Sequence, residues 1–318
     1  MVWVLSLVTP GDEAVKIRNA LVVKVGTPAE FDWIPGRAPA SFHVNQARPT
    51  PEFSRIASQL ASRASGPPRD GTALALEISR HLIGGPGKRV GGPIQSNLAK
   101  AYDGITRERR GYCADFTQVF SAIAIAAGLP VRSWSISFEA FGAGHTFNEI
   151  YDDRLGQWVM IDPFHSLYFI DASTRRPLSV LEVHDRMLSL HGQPEQIELE
   201  PIVEGRLPFR STAMAFDYYR RGMPQLALSW GNNVFDYDAS QPVRWSAHVS
   251  RYLERAVGIL VGQYPAMLVY PDGVSERDVE SLFRVRARFV LACSVLVIAI
   301  AYYGWMLVST WRRAEHRT

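Results

Sequence analysis

The run FVLACSVLVIAIAYYGWMLVSTW, from Phe289 to Trp311, carries no charged side chain. It restricts this chain more than any other feature. At about 1.5 Å per residue a helix of this length covers roughly 34 Å, enough to cross a hydrocarbon core of ~30 Å. Tyr302, Tyr303, Trp305 and Trp311 suit an interfacial aromatic belt toward its end. A transmembrane helix at 289–311 with a basic tail at 312–318 is therefore expected rather than a buried core helix. Arg284, Arg286 and Arg288 flank one side and Arg312, Arg313 and Arg317 the other, so charge does not orient the span. The opening MVWVLSLVTP is short and lacks a basic leader, which reads as a strand rather than a signal peptide. With Met1 as the start, the expectation is a single-pass protein of a bacterial inner membrane with its globular part in the cytoplasm; an upstream start would reverse the side.

The remainder is ample for a sizeable core, with 318 residues and 47% hydrophobic content overall. A net charge of +3, with arginines scattered rather than striped, argues against nucleic acid as a partner. Arginine far outnumbers lysine, an associational pointer to a GC-rich bacterial genome. The two cysteines, Cys113 and Cys293, cannot build a disulfide framework, and Cys293 lies in the apolar run. Cys113 is left as a candidate nucleophile.

Along the chain, NALVVKVGT (Asn19 to Thr27) reads as a strand. Phe53, Ile56, Leu60 and Ala64 follow helical spacing behind Pro51, and GTALALEISRHLI predicts a second helix stopped by Gly84 and Gly85. GGPGKRVGGP lacks phosphate-loop spacing, with Leu82 where glycine is needed and Arg89 in place of Ser or Thr, and reads as a loop. IQSNLAKAYDGI predicts a third helix. Beyond Pro130, VRSWSIS, HTFNEIYD and QWVMIDP alternate as antiparallel strands. Helices followed by strands give the α+β class.

Between these blocks lies RRGYCADFTQVFSAIAIAAGLP. Phe116, Val119, Phe120, Ile123 and Ala127 mark a packed helical face, and Gly128 with Pro130 marks its stop. Cys113 thus falls in the first turn, where unpaired backbone N–H groups and the helix dipole favour a thiolate. Asp115 works against a thiolate unless its carboxylate turns away. Taken alone, Cys113 also fits a small buried hydrophobe. If HTFNEIYDDRLGQWVMIDP is a hairpin pairing Asp152 with Gln157, residues whose numbers sum to 309 face each other. Phe147 then opposes Asp162, and His145 sits diagonally from Asp162 on the same face, within side-chain reach.

GYCADFTQVFSAIAIAAGLPVRSW, GHTFNEIY and GQWVMIDP together resemble the transglutaminase-like superfamily of papain-fold cysteine enzymes. The match runs through Cys113, Gly128, Pro130, Arg132, His145, Glu149, Trp158, Asp162 and Pro163 and covers roughly Leu74 to Asp171. It implies a papain-like core with a Cys-opened helix packed on an antiparallel sheet. It also implies a catalytic set of Cys113, His145 and Asp162 acting on a peptide or protein amide by hydrolysis or acyl transfer, through a thioester. Ala114 stands where the animal cross-linking enzymes have tryptophan, and no calcium-loop pattern is present, so the resemblance is to the mostly microbial branch. No cofactor and no metal are expected. The Cys113 backbone N–H would supply half of an oxyanion hole, with Gln95, Asn97 and Tyr102 as candidates for the rest. A catalytically inactive binding or scaffold module in a membrane complex is the alternative.

The expected domains are an N-terminal strand and loop segment (1–50), the catalytic core (51–175), an accessory region of unknown role (176–288), the span and the tail. His165, His184 and His191 read as surface or loop residues. Tyr218, Tyr219, Trp230 and Phe235 read as packing, with cleft lining as the functional alternative. SAHVSRYLERAVGILVGQY is amphipathic, with Val249, Leu253, Ala256, Val257 and Leu260 on one face, to be packed on the domain or laid on a membrane.

Overall fold

The computed structural model of the chain describes residues 12–64, 70–84, 91, 97–188 and 196–315. Its elements run α1 (Asp12–Val22), β1 (Val23–Val25), α2 (Pro51–Ala61), α3 (Gly71–Ile83), α4 (Leu98–Thr106), α5 (Cys113–Ala126), β2 (Val131–Ser137), β3 (Gly144–Asp152), β4 (Gln157–Ile161) and β5 (Leu167–Asp171). They continue with α6 (Val180–Leu188), β6 (Ile197–Pro201), α7 (Thr212–Gly222), β7 (Ala227–Trp230), α8 (Val234–Ala239), α9 (Gln241–Ala247), α10 (Arg251–Leu260), β8 (Ala266–Val269) and α11 (Glu276–Glu315).

Six strands form one sheet in the order β1-β8-β7-β2-β3-β4, antiparallel throughout except for the β1–β8 pair. This is the expected α+β class. Helices α2 to α5 cover one face, burying Phe53, Ile56, Leu60, Ile78, Phe116, Val119 and Phe120 against Ile150, Val159 and Ile161. The caps follow the sequence: the Thr50 hydroxyl accepts from the Phe53 N–H ahead of Pro51, and Asp70 accepts from the Ala73 N–H. A second core, with Phe31, Trp33, Trp134, Phe147, Trp158 and Tyr219, fills the opposite face.

The β3–β4 hairpin has the predicted register, from Asp152 opposite Gln157 to Asn148 opposite Ile161. The buried Asp152 carboxylate fixes the turn. It accepts from the N–H groups of Arg154 and Leu155, and from the N–H and hydroxyl of Thr72 at the start of α3. Behind the hairpin, Arg132 and Glu149 form a buried pair at 2.6 Å. Glu149 also accepts from Trp134 Nε1 and the Val180 N–H, while the Arg132 guanidinium donates to the Phe31 carbonyl and lies 4.0 Å from the Trp158 ring centroid. Arg132 Nε and Nη1 and both Glu149 oxygens thus have partners, which is the condition for keeping such a pair in a core.

The strand expected at Asn19–Thr27 is only partly present, because α1 runs through Val22 and leaves Val23–Val25 as β1. Tertiary contacts override the β-branched run here. Arg286 of α11 donates to the carbonyls of Ala20 and Val23, which the end of a helix leaves unpaired, and Asn19 donates to the Phe141 carbonyl. The stretch after Arg175 contributes β7 and β8 to the main sheet. The loop at 85–90, Gly85 included, and the apolar opening at 1–11 lie outside the described residues, as do Gln95 and His191.

Helix α11 begins on the domain, where Val279, Leu282 and Val285 pack against Ala20, Val23, Met267 and Val269. It then continues without a break through the apolar run. Its most apolar stretch has no buried residue, so it is not a core helix and is a candidate membrane anchor.

Candidate active site

The approach to α5 is set by Gly111, whose φ of +142° disfavours any side chain and whose missing Cβ would lie 3.2 Å from Ile105. Cys113 is the first residue of α5, half-buried, as the sequence predicts. The Asp115 carboxylate folds back to accept the Tyr112 N–H at 2.8 Å, which satisfies one orphan donor of the helix end. Two clamps hold α5 over β3. Asn148 donates to the Thr117 carbonyl and the Ser121 hydroxyl, and Thr117 bonds Thr146 at 3.2 Å. Gly144 lets β3 begin beside β2, because a Cβ there would stand 2.6 Å from the Ile136 carbonyl oxygen.

These constraints bring Cys113, His145 and Asp162 together. The thiol is in hydrogen-bond contact with His145 and with Thr146. His145 Nε2 lies 2.5 Å from Asp162 Oδ2, and both residues are buried. Burial alone would raise the Cys113 pKa; the bond to His145, its charge and the Thr146 bonds outweigh this and bring the thiol below its usual value. Burial likewise opposes charge on His145, yet the Asp162 carboxylate raises its pKa well above that of a free imidazole. Asp162 stays ionised in spite of burial because His145, and then His165, stabilise its charge. The arrangement favours a thiolate facing an imidazolium.

Sequence reasoning missed two members of this cluster. His165, read as a surface or loop residue, is buried and stacks on His145 with ring centroids 4.0 Å apart. A tight turn puts it there. Asp162 and Leu167 exchange backbone bonds, and the His165 N–H donates to Asp162 Oδ1 at 2.8 Å. Tyr219 of α7, read first as packing, donates its hydroxyl to Asp162 Oδ2, so its oxygen accepts from His165 Nδ1 at 3.0 Å. The spacing of His165 three residues after Asp162 was a usable local signal. Tyr219, 57 residues away, offered none. Tyr218 is half-buried near His145, with centroids 6.0 Å apart, whereas Trp230 packs on Phe42 and Phe235 on Phe53.

Other expectations are redirected. Asn97 caps α4 by accepting the Lys100 N–H and donates to Asp238, and the Tyr102 hydroxyl bonds His81, so both are committed away from Cys113. His184 is buried, not superficial, and bonds Asp185 and the Asp272 carbonyl. His145, Asp162 and His165 present three ligand atoms within 4.8 Å of one another, a set with the chemistry to hold a metal. The same atoms already bond each other and Tyr219, so the geometry is accounted for as a hydrogen-bond network. A cleft of about 230 Å³ opens beside α5, lined by Ala114, Thr117 and Gln118 of that helix, Thr146 of β3, Tyr237 of α8 and Arg255 of α10.

Residues 59–163 match the family model of the transglutaminase-like superfamily, and the chain contains a domain of that kind. Among solved structures, one described as "Crystal structure of a TGase" is similar at 19% identity over 35% of this chain, with a TM-score of 0.22. The alignment spans about a third of that protein's length, 31%. The curated proteins contain no match.

Proposed function

We propose that the transglutaminase-like domain of this chain is a cysteine enzyme that opens amide bonds through a thioester on Cys113, with α11 holding it to a membrane. The Cys113 sulfur attacks the amide carbonyl carbon. The C–N bond breaks as His145 gives its proton to the leaving amine. Water or a second amine then attacks the thioester, loses a proton to His145 and expels the thiolate, giving hydrolysis or transamidation. Asp162 holds the imidazole by Nε2 and stabilises its charge, so that the other ring nitrogen serves the sulfur. The Cys113 backbone N–H, at the first position of α5, is suited to the oxyanion. Tyr219 and His165 act as positioning residues through Asp162. The cleft that shares Thr146 with the thiol is the natural seat for the substrate.

One observation carries this reading: a half-buried thiol at a helix N-terminus in hydrogen-bond contact with an imidazole that is itself bonded to a buried carboxylate. A packing cysteine needs none of these. The test is to trap the acyl-enzyme from membranes containing the full-length chain and weigh the adduct on the Cys113 peptide. The expected result is one adduct, absent in Cys113→Ala and strongly reduced in His145→Ala, whose mass identifies the acyl group. No adduct, together with Cys113 alkylating no faster than a free cysteine, would overturn the enzyme reading in favour of a binding module.

A further inference from the structure

Helix α10 turns its polar side inward. Glu254 is 4% exposed and accepts from the Tyr237 hydroxyl at 3.0 Å, and Gly258 lies against the same ring. The apolar residues point the other way. Leu260 is 83% exposed, Trp245 of α9 72%, and Val249, Leu253 and Val261 are exposed as well. A helix on a water-facing surface shows the reverse pattern, and large apolar side chains exposed together on neighbouring segments mark a contact surface.

The path of α11 says what that contact is. Gln225, just before β7, bonds Asp278 early in α11, and Arg286 bonds the Val23 carbonyl. In the sheet, Ala227 pairs with Val269, whereas Ser229 and Val23 both pair with Met267. From Asp278 to Arg286 the helix therefore advances from the Val269 end of β8 toward its Ala266 end, about 12 Å at 1.5 Å per residue. Phe289, where the apolar run begins, lies about 4.5 Å further on. The segment that enters β8 at Ala266 comes directly from Leu260 and Val261. The inverted helix is thus at the end of the domain from which the span departs. Arg244 of α9, His248 in the turn between the helices and Arg251 of α10 are exposed, the basic complement that suits anionic headgroups.

We propose that the exposed apolar face of α9 and α10 rests in the headgroup region of the bilayer that α11 spans, with Leu260 and Val261 entering first. The proposal rests on α11 being the anchor and is independent of the chemistry at Cys113. The docked face fixes the domain's tilt, which a single helix would leave free.

The test uses the full-length chain with Cys113→Ser and Cys293→Ser, carrying one added cysteine at a time as Leu253→Cys, Leu260→Cys, Val25→Cys or Val297→Cys. All four positions are exposed, so folding is not at stake. Each cysteine is labelled with an environment-sensitive fluorophore and reconstituted in phosphatidylcholine–phosphatidylglycerol vesicles with or without brominated lipid. The label at 297 reports insertion of the span, and the label at 25 reports the opposite end of the sheet. The expected result is quenching at 253 and 260 at least about threefold greater than at 25. Quenching at 297 with labels at 253 and 260 behaving like that at 25 overturns the proposal. So does protection of 253 and 260 from aqueous iodide without quenching by lipid, which would assign the face to residues 1–11 or to a second copy. An unquenched label at 297 removes the premise and the proposal with it.

Discussion

Asp162→Asn isolates the charge that tunes the thiol. The substitution keeps the size of the side chain and one carbonyl oxygen, enough for either the His165 N–H now on Oδ1 or the Tyr219 hydroxyl now on Oδ2, and removes the charge that faces His145 Nε2 at 2.5 Å. For unit charges centred about 4 Å apart, an effective dielectric of ~20 gives about 4 kcal/mol. Two other donors already share the carboxylate, and halving the figure for that leaves about 2 kcal/mol, or about 1.5 pH units. The sign follows from the protonation states. In the native protein His145 is held protonated above its usual range, so the thiol loses its proton next to a cation and does so below its own usual value. Without the carboxylate His145 deprotonates first, and the thiolate forms only as the pH nears ~8.5. The assay is the pH dependence of iodoacetamide alkylation of the full-length chain in detergent, with Cys293→Ser so that Cys113 alone reacts. The acid limb should move up by about 1.5 units, and at pH values below both limbs the rate should fall about 30-fold, since each 1.4 kcal/mol is a factor of ten. A variant profile within a few tenths of a unit of the native one, in a protein with native circular dichroism, would refute the assignment of Asp162.

Tyr219→Phe removes the hydroxyl bond to the Asp162 carboxylate, while His165 Nδ1 keeps Asp162 Oδ2 at 3.3 Å, and should cost about 1.5–3 kcal/mol in denaturant unfolding, as for a bond to a charged group. Its alkylation profile should keep its acid limb at or below the native position, because less of the Asp162 charge is shared; an upward move like that of Asp162→Asn would show that the hydroxyl serves the imidazolium instead. Glu149→Gln leaves the Arg132 charge uncompensated in the core and should lower stability by about 3–5 kcal/mol, and Arg132→Met with Glu149→Leu should recover only part of the loss, because Trp134 Nε1 and the Val180 N–H then lack their acceptor. Chelator treatment should leave the alkylation rate of Cys113 unchanged; a fall restored by added zinc would reassign His145, Asp162 and His165 to a metal.

What the sequence made legible was local. The place of Cys113 followed from a glycine turn, a helical apolar period and a terminal Gly128, all within one segment. The facing of His145 and Asp162 followed from the parity of one hairpin, because a strand's side chains alternate and the Asp152–Gln157 pairing sets every other pair. Where partners come from distant segments, the same reasoning had nothing to act on. Tyr219 reaches Asp162 from α7, and Arg286 holds α1 helical from the far end of the chain. Asn97 and Tyr102 were plausible donors by nearness in sequence, yet a cap and a histidine claim them. Polarity alone does not reveal which bond a side chain has already made.

The same sheet relates the proposed chemistry to the proposed membrane contact. Ser133 of β2 pairs with Ser229, level with Met267 and Val23, where Arg286 holds the span. His145 pairs with Ile136, three residues along β2 in the direction away from Ser229 and toward Ser135, which faces Ala227. At about 3.3 Å per residue that is roughly 10 Å farther from the end where α11 leaves. Twist between neighbouring strands, about 20–25° each, turns this direction without reversing it over the two steps from β7 to β3. A domain docked by α10 would therefore hold its thiol on the side turned from the lipid, while the cleft, whose wall includes Tyr264 and Pro265 just before β8, extends back toward the membrane end. An amide chain seated in that cleft would meet Cys113 from the membrane side.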